Sequence, residues 1–189
     1  DNVDDSSSSS YDTSNNSALI NIAPTTPLNI TIKSSDENTQ RTINAGRDAS
    51  KTGRVMYVGT NATVTIQNLV LTGGNIAESG GGVANYGTFE MTSGSVTNNT
   101  SGHNGGGVNN SGTLTMTGGT IANNTATADG GGVYVAADKT FNMTSGSSAA
   151  PTINNNRAKN GGGVYLVATG IFGMGVGTIS GNTATVDGH

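Results

Sequence analysis

The side chains that could do chemistry are few, and they do not cluster along the chain. The acidic residues of its repetitive part are Glu78, Glu90, Asp129, Asp138 and Asp187. A β-helical polysaccharide lyase would need carboxylates around a calcium ion with a Lys or Arg base beside them, and a glycoside hydrolase would need paired carboxylates. No basic residue occurs from position 55 to position 138. We therefore predict no catalytic residue and a protein that is not an enzyme, with a carbohydrate lyase or hydrolase as the alternative.

Metal and cofactor sites are not indicated by the sequence either. The chain has no Cys, and its two histidines, His103 and His189, lack metal-ligating partners at a suitable spacing. Its Gly-Gly-Gly triplets are followed by neither a helical pattern nor a Lys, both of which a phosphate loop requires. We predict no metal and no cofactor.

Two tyrosines are candidates for binding. Tyr134 and Tyr165 each follow a Val of a repeated Gly-Gly-Gly-Val element by one residue, so both rings should point outward from neighbouring layers. Paired exposed aromatic rings suit the stacking of a sugar. The alternative interpretation is a cross-strand pair in which the rings only cover one another.

A column of threonines is the second binding candidate. Thr113, Thr115 and Thr117 alternate with apolar residues, and similar threonines recur in neighbouring copies of the repeat. A flat threonine array would suit an ice-binding surface. The alternative is that Thr is simply a favoured residue on the exposed face of a strand, and Glu90 and Asn142 interrupt the array.

An internal repeat positions these candidates. The Gly-Gly-Gly-Val element ends at four valines, spaced by 25, 25 and 31 residues: Val83, Val108, Val133 and Val164. Each is followed by an apolar pair (Phe89/Met91, Leu114/Met116, Phe141/Met143, Phe172/Met174) and then by one β-branched residue (Val96, Ile121, Ile153, Ile179). An earlier copy is weaker, and in it Val58 precedes Val83 by 25 residues. Such a fixed period indicates a solenoid.

Strict alternation of apolar and polar residues within each copy predicts strands. Thr113 to Thr117 reads Thr-Leu-Thr-Met-Thr, which places the apolar side chains on one face. We predict an all-β, right-handed parallel β-helix with about 25 residues per three-strand coil and roughly five to six coils. Each coil needs few inward residues because the coils above and below complete its core.

An asparagine follows the β-branched residue by three positions in every copy, at Asn99, Asn124, Asn156 and Asn182. Stacked asparagine side chains can hydrogen-bond along a column, and Asn tolerates the left-handed backbone region. We interpret these four residues as a structural ladder.

Three regions are predicted along the chain. Residues 1–17 form a disordered Asp/Ser-rich leader or linker, and residues 18–54 form an N-terminal cap with a degenerate first coil that contains Ile30, Ile32 and Ile43. Residues 55–189 form regular coils that continue in a longer protein. The last coil would then have an open edge, so we expect fraying of residues 176–189 or end-to-end self-association of the fragment.

Composition excludes several classes of partner. Hydrophobic residues make up 32%, charged residues 11%, and the net charge is −4. Without a basic stripe the chain cannot neutralise a phosphate backbone, so we predict no binding to nucleic acid. It also lacks a run of 18 apolar residues, so we predict no membrane insertion of this segment.

The repeat resembles a known group of surface proteins. The pattern GGGVxNxGTxxMTxGxIxxNTA, across Gly80–Thr100 and Gly105–Ala126, is similar to the β-helical repeats of adhesin-like proteins, polymorphic outer-membrane proteins and autotransporter passenger domains. Thr39–Asn75 also resembles the first coils of such domains. The resemblance implies an extracellular or cell-surface location. It further implies a non-enzymatic adhesin or stalk segment that binds host, microbial or matrix ligands, either glycans or surface proteins.

Overall fold

The chain folds as an all-β parallel solenoid of about five coils. The computed structural model describes residues 18–36, 38–46, 52–146 and 149–186, together with the backbone of residues 3–4, and no helix occurs among them. The named strands form four sheets, and within each sheet every pairing joins parallel strands of successive coils.

Each sheet takes at most one strand from any one coil. Sheet 1 contains β2 (Ala18–Ile22), β5 (Arg54–Val58), β9 (Val83–Asn85), β13 (Val108–Asn110), β17 (Val133–Val135) and β21 (Val164–Leu166). Sheet 2 contains β3 (Leu28–Lys33), β6 (Ala62–Gln67), β10 (Thr88–Met91), β14 (Thr113–Met116), β18 (Thr140–Met143) and β22 (Ile171–Met174). Sheet 3 contains β1 (Val3–Asp4), β4 (Arg41–Asn44), β7 (Leu69–Thr72), β11 (Gly94–Thr97), β15 (Thr120–Ala122), β19 (Thr152–Asn154) and β23 (Thr178–Ser180).

Sheet 4 is an addition to the three strands per coil that the sequence predicts. It consists of two-residue strands: β8 (Asn75–Ile76), β12 (Thr100–Ser101), β16 (Thr125–Ala126), β20 (Arg157–Ala158) and β24 (Thr183–Ala184). A strand of two residues is too short for a period-two pattern to appear in the sequence. In the coils of β12, β16 and β20 this strand lies between the asparagine of the predicted ladder, such as Asn99, and the next Gly-Gly-Gly turn.

The core is a set of columns in which equivalent residues lie over one another. In sheet 2 Phe89 pairs with Val64 and Leu114, and the column continues to Phe141 and Phe172. In sheet 3 the column is Leu71, Val96, Ile121, Ile153 and Ile179. The members of these columns are those that the sequence pattern aligns, with a spacing of 25 residues as far as Leu114 and Ile121. Their central members are fully buried, so each coil supplies part of one continuous core.

The predicted equivalence of Val58 and Val83 is wrong. Val83 pairs with Met56, and Val58 pairs with Asn85. The two alignments differ by two residues, and a shift of two keeps every side chain on the same face of the strand. The hydrophobic pattern therefore cannot distinguish them.

The glycine triplets combine a left-handed turn with a close approach between coils. The first glycine has a positive φ in each copy, with values from 55° at Gly161 to 83° at Gly80. The third has no room for a side chain, because a Cβ on Gly107 would lie 2.6 Å from the carbonyl oxygen of Gly132. The same holds for Gly82 against Gly107. The triplet thus fixes both the bend and the distance between layers.

The N-terminal coil pairs strand by strand with the next one. Ile30 and Ile32 lie beside Val64 and Ile66 in sheet 2, and Ile43 lies beside Leu71 in sheet 3. The predicted leader, residues 1–17, lies outside the described residues except for β1, whose backbone pairs with β4. Residue 37 and residues 47–51 of the predicted cap are also outside them.

The last described coil is less buried than those before it. Val164, Phe172 and Ile179 are partly buried and pack against the core, whereas Met174 is 47% exposed and Ile171 57% exposed. The predicted fraying or end-to-end association concerns this coil and stays a prediction; residues 187–189 lie outside the described part of the chain.

Candidate functional site

The outward side chains of sheet 1 include the predicted tyrosine pair. Tyr134 in β17 and Tyr165 in β21 are direct register partners. Their rings are stacked, with centroids 5.8 Å apart and planes only 5° apart. Both side chains are half-buried. The strand alternation that buries Val133 and Val135 turns these rings outward, where each ring covers part of the other.

A second tyrosine pair lies along the same sheet, with Tyr57 in β5 and Tyr86 directly after β9, and the sequence did not predict it. The rings of Tyr57 and Tyr86 have centroids 5.4 Å apart and planes tilted by 35°. Tyr86 is 42% exposed. Because these residues are 29 positions apart, they share no column in a 25-residue alignment. The two-residue shift that pairs Tyr57 with Ala84 brings the rings together.

Small and polar residues separate the two pairs. The outward column of sheet 1 runs from Tyr57 through Ala84 and Asn109 to Tyr134. Ala84 is 1% exposed and Asn109 5% exposed. The Nδ2 of Asn109 donates a hydrogen bond of 3.3 Å to Ser111 Oγ, and Ser111 is half-buried. We call this outer surface of sheet 1, with its two tyrosine pairs and the floor between them, the tyrosine face.

Opposite charges lie beside the two pairs. Burial raises the pKa of Tyr134 above its ordinary value, and the nearby negative charge of Asp129 adds to that shift. Asp129 Oδ1 accepts a hydrogen bond of 2.7 Å from Asn160 Nδ2. At the other pair, the buried Arg54 guanidinium donates to the carbonyl oxygens of Ser79 and Gly80, and burial lowers the pKa of Arg54.

The threonine column lies on the outer surface of sheet 2. Thr113 pairs with Thr88 and Thr140, whereas Thr115 lies between Glu90 and Asn142. Thr65 Oγ1 donates a hydrogen bond of 3.0 Å to Glu90 Oε2. Thr117 follows β14 and is half-buried. The array is therefore regular at the position of Thr113 and interrupted at that of Thr115.

The acidic residues lie on different elements. Glu90 is on β10, Asp129 precedes the glycine turn before β17, and Asp138 occupies a left-handed turn position with φ of 59°. The Nδ1 of His103 lies 3.3 Å from Ser79 Oγ. Among the residues that the structure describes, no group of three His, Cys, Asp or Glu could hold a metal ion. Asp187 and His189 lie outside those residues.

The four corner asparagines form a hydrogen-bonded ladder. From Asn124 onward, each Oδ1 accepts from both the backbone N–H and the Nδ2 of the preceding asparagine, as Asn124 does from Asn99 at 3.0 Å for both bonds. Asn156 and Asn182 continue the pattern. Each Nδ2 also donates to a main-chain carbonyl of the preceding coil, such as Val96 for Asn124. The left-handed residue is the one before the ladder position, with φ of 55° at Asn98.

A second, shorter amide column is buried inside sheet 1 and was not predicted. Asn85 and Asn110 are both 0% exposed and occupy inward positions that are Val58 and Val135 in the flanking coils. Asn85 Nδ2 donates to Asn110 Oδ1 at 2.7 Å and to the Thr113 carbonyl at 2.8 Å. The sequence carried a signal for it, because Asn stands two residues after the repeat valine in two successive copies.

A shallow groove of about 300 Å³ lies on the outside of sheet 3. Gly94 and Gly119 form part of its lining, and the hydroxyls of Thr120 and Thr152 lie 2.9 Å apart there. Gln40 and Ala150 also line it. The groove lining contains neither an aromatic ring nor a charged side chain, so the tyrosine face offers the stronger binding chemistry.

Comparison with known proteins adds no relative to this description. No protein-family model, curated protein or solved structure matches the chain. Within the described residues, no helix is long and apolar enough to span a bilayer. The parallel solenoid and its tyrosine face therefore stand on the geometry of this chain alone.

Proposed function

We propose that this chain is a non-enzymatic segment of a cell-surface adhesin or stalk, and that it binds an extracellular ligand through the flank of its solenoid. The observation that supports the proposal most is the stacked, half-exposed pair of Tyr134 and Tyr165. The proposed ligand is a glycan or a surface protein of a host, a microbe or the surrounding matrix.

Rigidity supports the structural half of this proposal. The core columns are continuous from coil to coil, and the corner ladder adds hydrogen bonds between every pair of successive asparagines from Asn99 to Asn182. Contacts restricted to neighbouring coils build an elongated body whose length grows with the number of repeats. Such a body holds a ligand-binding surface away from its point of attachment.

The chemistry of the tyrosine face supports the binding half. Two parallel rings present a large apolar area at a low cost in conformational entropy, because a tyrosine has only two side-chain torsions. Asp129 and Asn160 beside them supply oxygen and nitrogen atoms that can hydrogen-bond polar groups of a ligand. Aromatic area with a polar rim is the usual anatomy of a binding surface.

The extracellular or cell-surface location belongs to the same proposal. It rests on the resemblance of the Gly-Gly-Gly-Val repeat to adhesin-like and autotransporter repeats. Neither a nucleic acid nor a lipid bilayer is a proposed partner, because the net charge is −4 and the basic residues are confined to two short stretches.

A binding screen tests the proposal. The chain is applied to arrays of glycans and of matrix and surface proteins, beside a Tyr134→Ala/Tyr165→Ala variant. Val70→Ala is the matched control, because Val70 is a half-buried outward residue on sheet 3. We expect at least one ligand that the control retains and the tyrosine variant loses.

Two results would reject the proposal. One is a ligand profile that the tyrosine variant shares fully with the unmodified chain. The other is cleavage of a polysaccharide that is lost on Glu90→Gln or Asp129→Asn, which would make the protein an enzyme.

A further inference from the structure

We propose that the tyrosine face binds a linear, uncharged glycan chain that lies parallel to the solenoid axis and contacts both tyrosine pairs at once. This inference rests on the proposed binding function and specifies its ligand. It goes beyond the Tyr134–Tyr165 pair, because it assigns Tyr57 and Tyr86 to the same site.

The direction of the ligand follows from the register of sheet 1. Tyr57 and Tyr134 are separated by Ala84 and Asn109, so they lie three layers apart in one outward column. At a strand spacing of about 4.8 Å, three layers span about 14 Å along the axis. A ligand that packs on both Tyr57 and Tyr134 must therefore be extended, and a monosaccharide or disaccharide is too short.

Small residues line the strip between the pairs. Ala84 and Asn109 are almost wholly buried, so a ligand there contacts their neighbours and not these two side chains. Ser111 and Ala136 occupy the neighbouring outward positions and are half-buried. The Ser111 hydroxyl accepts a hydrogen bond from Asn109 Nδ2. A hydroxyl can also donate one hydrogen bond, here to a polar group of a ligand. The face thus offers rings at both ends and hydroxyl chemistry between them.

The alternation of ring and hydroxyl is what a sugar chain needs. One face of a pyranose ring presents C–H groups that pack on an aromatic ring, and its rim presents hydroxyls. The rings of Tyr134 and Tyr165 stack on one another, and because both side chains are only half-buried, the ring area that the pair leaves uncovered is the first contact for a sugar. Tyr57 and Tyr86, tilted by 35°, form a second contact for a sugar further along the same chain.

The charges select against an anionic glycan. Asp129 lies close enough to Tyr134 for its negative charge to raise the pKa of that phenol, so a uronate stacked there would be repelled. The positive charge at the other pair, Arg54, is 7% exposed and directed at main-chain carbonyls. It therefore offers a carboxylate little compensation.

The test measures affinity as a function of ligand length. Cello-, xylo- and manno-oligosaccharides, each from the disaccharide to the hexasaccharide, are titrated into the full chain by calorimetry. In at least one series we expect the hexasaccharide to bind about tenfold or more tightly than the disaccharide, because only the longer ligand reaches the second tyrosine pair. An oligogalacturonate of equal length should bind more weakly.

Variants assign the gain to the second pair. Tyr57→Ala/Tyr86→Ala should weaken hexasaccharide binding by about tenfold and leave disaccharide binding unchanged. Tyr57→Phe/Tyr86→Phe should keep most of the affinity, because the rings are retained. Val70→Ala is the control on another sheet, and a thermal melt of each variant establishes that it is folded; should the Ala variant not fold, Tyr86→Ala, at the most exposed of the four rings, replaces it.

Several results would overturn the inference. They are equal affinities for short and long ligands, unchanged hexasaccharide binding in the Tyr57/Tyr86 variants, tighter binding of the oligogalacturonate, or no binding in any of the three series. A protein or a proline-rich peptide that binds and is lost on Tyr134→Ala/Tyr165→Ala would also overturn it. In that last case the proposed adhesin function would stand while the glycan assignment would fall.

Discussion

Two asparagine columns run through this solenoid, and they end differently. In the corner ladder the first member, Asn99, has its Oδ1 satisfied by the backbone N–H of Gly74 at 2.9 Å. In the buried column of sheet 1 the first member, Asn85, has an Oδ1 without a hydrogen-bond partner among the described residues. The residue that precedes Asn85 in its column is Val58, which has no donor.

The difference shows where an amide column costs free energy. Within a column each asparagine gives its Nδ2 to the next Oδ1, so the interior members satisfy one another. At the end that faces the preceding coil, one carbonyl oxygen is always left over. A main-chain N–H resolves that end in the corner, whereas the sheet leaves a desolvated oxygen, which costs about 1–3 kcal/mol.

The largest expected effect comes from breaking the corner ladder in its middle. Asn124→Ala removes the acceptor for two bonds from Asn99 and the donor to Val96 and Asn156. All these groups are buried, so we expect a loss of about 4 kcal/mol in the free energy of unfolding. Urea denaturation monitored by circular dichroism measures it.

The matched substitution in the other column should cost less. Asn110→Ala removes the acceptor for Asn85 Nδ2 and for the Gly112 N–H, whose bond is long at 3.4 Å, and deprives the Thr140 carbonyl of its donor. Asn85 Nδ2 keeps its bond to the Thr113 carbonyl. We expect a loss of about 2 kcal/mol. An equal loss for Asn110→Ala and Asn124→Ala would show that the buried column of sheet 1 stabilises the fold as much as the corner ladder does.

Removing the buried column altogether should be cheaper than the sum of its parts. In Asn85→Val/Asn110→Val the unpaired oxygen disappears and the apolar column of Val58 and Val135 becomes continuous, at the cost of the donors to Thr113 and Thr140. We expect the double variant to be more stable, by about 1.5 kcal/mol, than the two single variants predict by addition. Additive losses would show that the two amides do not act as a pair.

A smaller effect is expected from supplying the missing donor. Val58→Thr places a hydroxyl in the register position beside Asn85 without changing the shape of the side chain. The control is Val133→Thr, whose register neighbours are Val108 and Val164. We expect Val58→Thr to be more stable than Val133→Thr by about 1 kcal/mol, because only the first hydroxyl meets an acceptor. Equal losses would mean that the oxygen of Asn85 is not available to position 58.

The smallest expected effect is a pH dependence of stability that comes from the outward tyrosines of sheet 1 and not from the two asparagine columns. Amides do not titrate, whereas burial raises the pKa of Tyr57 and of Tyr134 above the ordinary value of 10.0. The pKa of these tyrosines is higher in the folded than in the unfolded protein. Their contribution to the free energy of unfolding is therefore fully present below pH ~10 and is lost as the pH rises through the folded pKa. Thermal melts should therefore show a fall in stability above pH ~10 that Tyr57→Phe/Tyr134→Phe reduces and Asn124→Ala does not. A fall of the same size in all three proteins would contradict this.

The columns of the core could be predicted from the sequence because inward residues alternate strictly with polar ones. Phe89, Leu114 and Phe141 share one position of the repeat and one column of the structure. The corner asparagines were placed in the same way, since each stands three residues after the single β-branched residue of its repeat.

Two features were not predicted from the sequence. One depends on a shift of two residues in the strand register, and the other on polar side chains at inward positions. The pairing of Val58 with Asn85 keeps the inside and the outside of the strand unchanged, so the apolar pattern carries no sign of it. The Tyr57–Tyr86 contact depends on that same shift. Asn110 was overlooked because a polar residue at an inward position contradicts the pattern that defines the strand.

The corner ladder also has a consequence for how the chain assembles. Once the coil of Asn99 is in place, it presents two donors and the Val96 carbonyl to the coil that follows, and the amide of Asn124 fits all three. A slip of two residues, which the hydrophobic pattern would tolerate, would bring Ala122 or Ala126 to that place and leave every one of these bonds unmade. The ladder therefore makes the native alignment of each coil more stable than an alignment that is slipped by two residues.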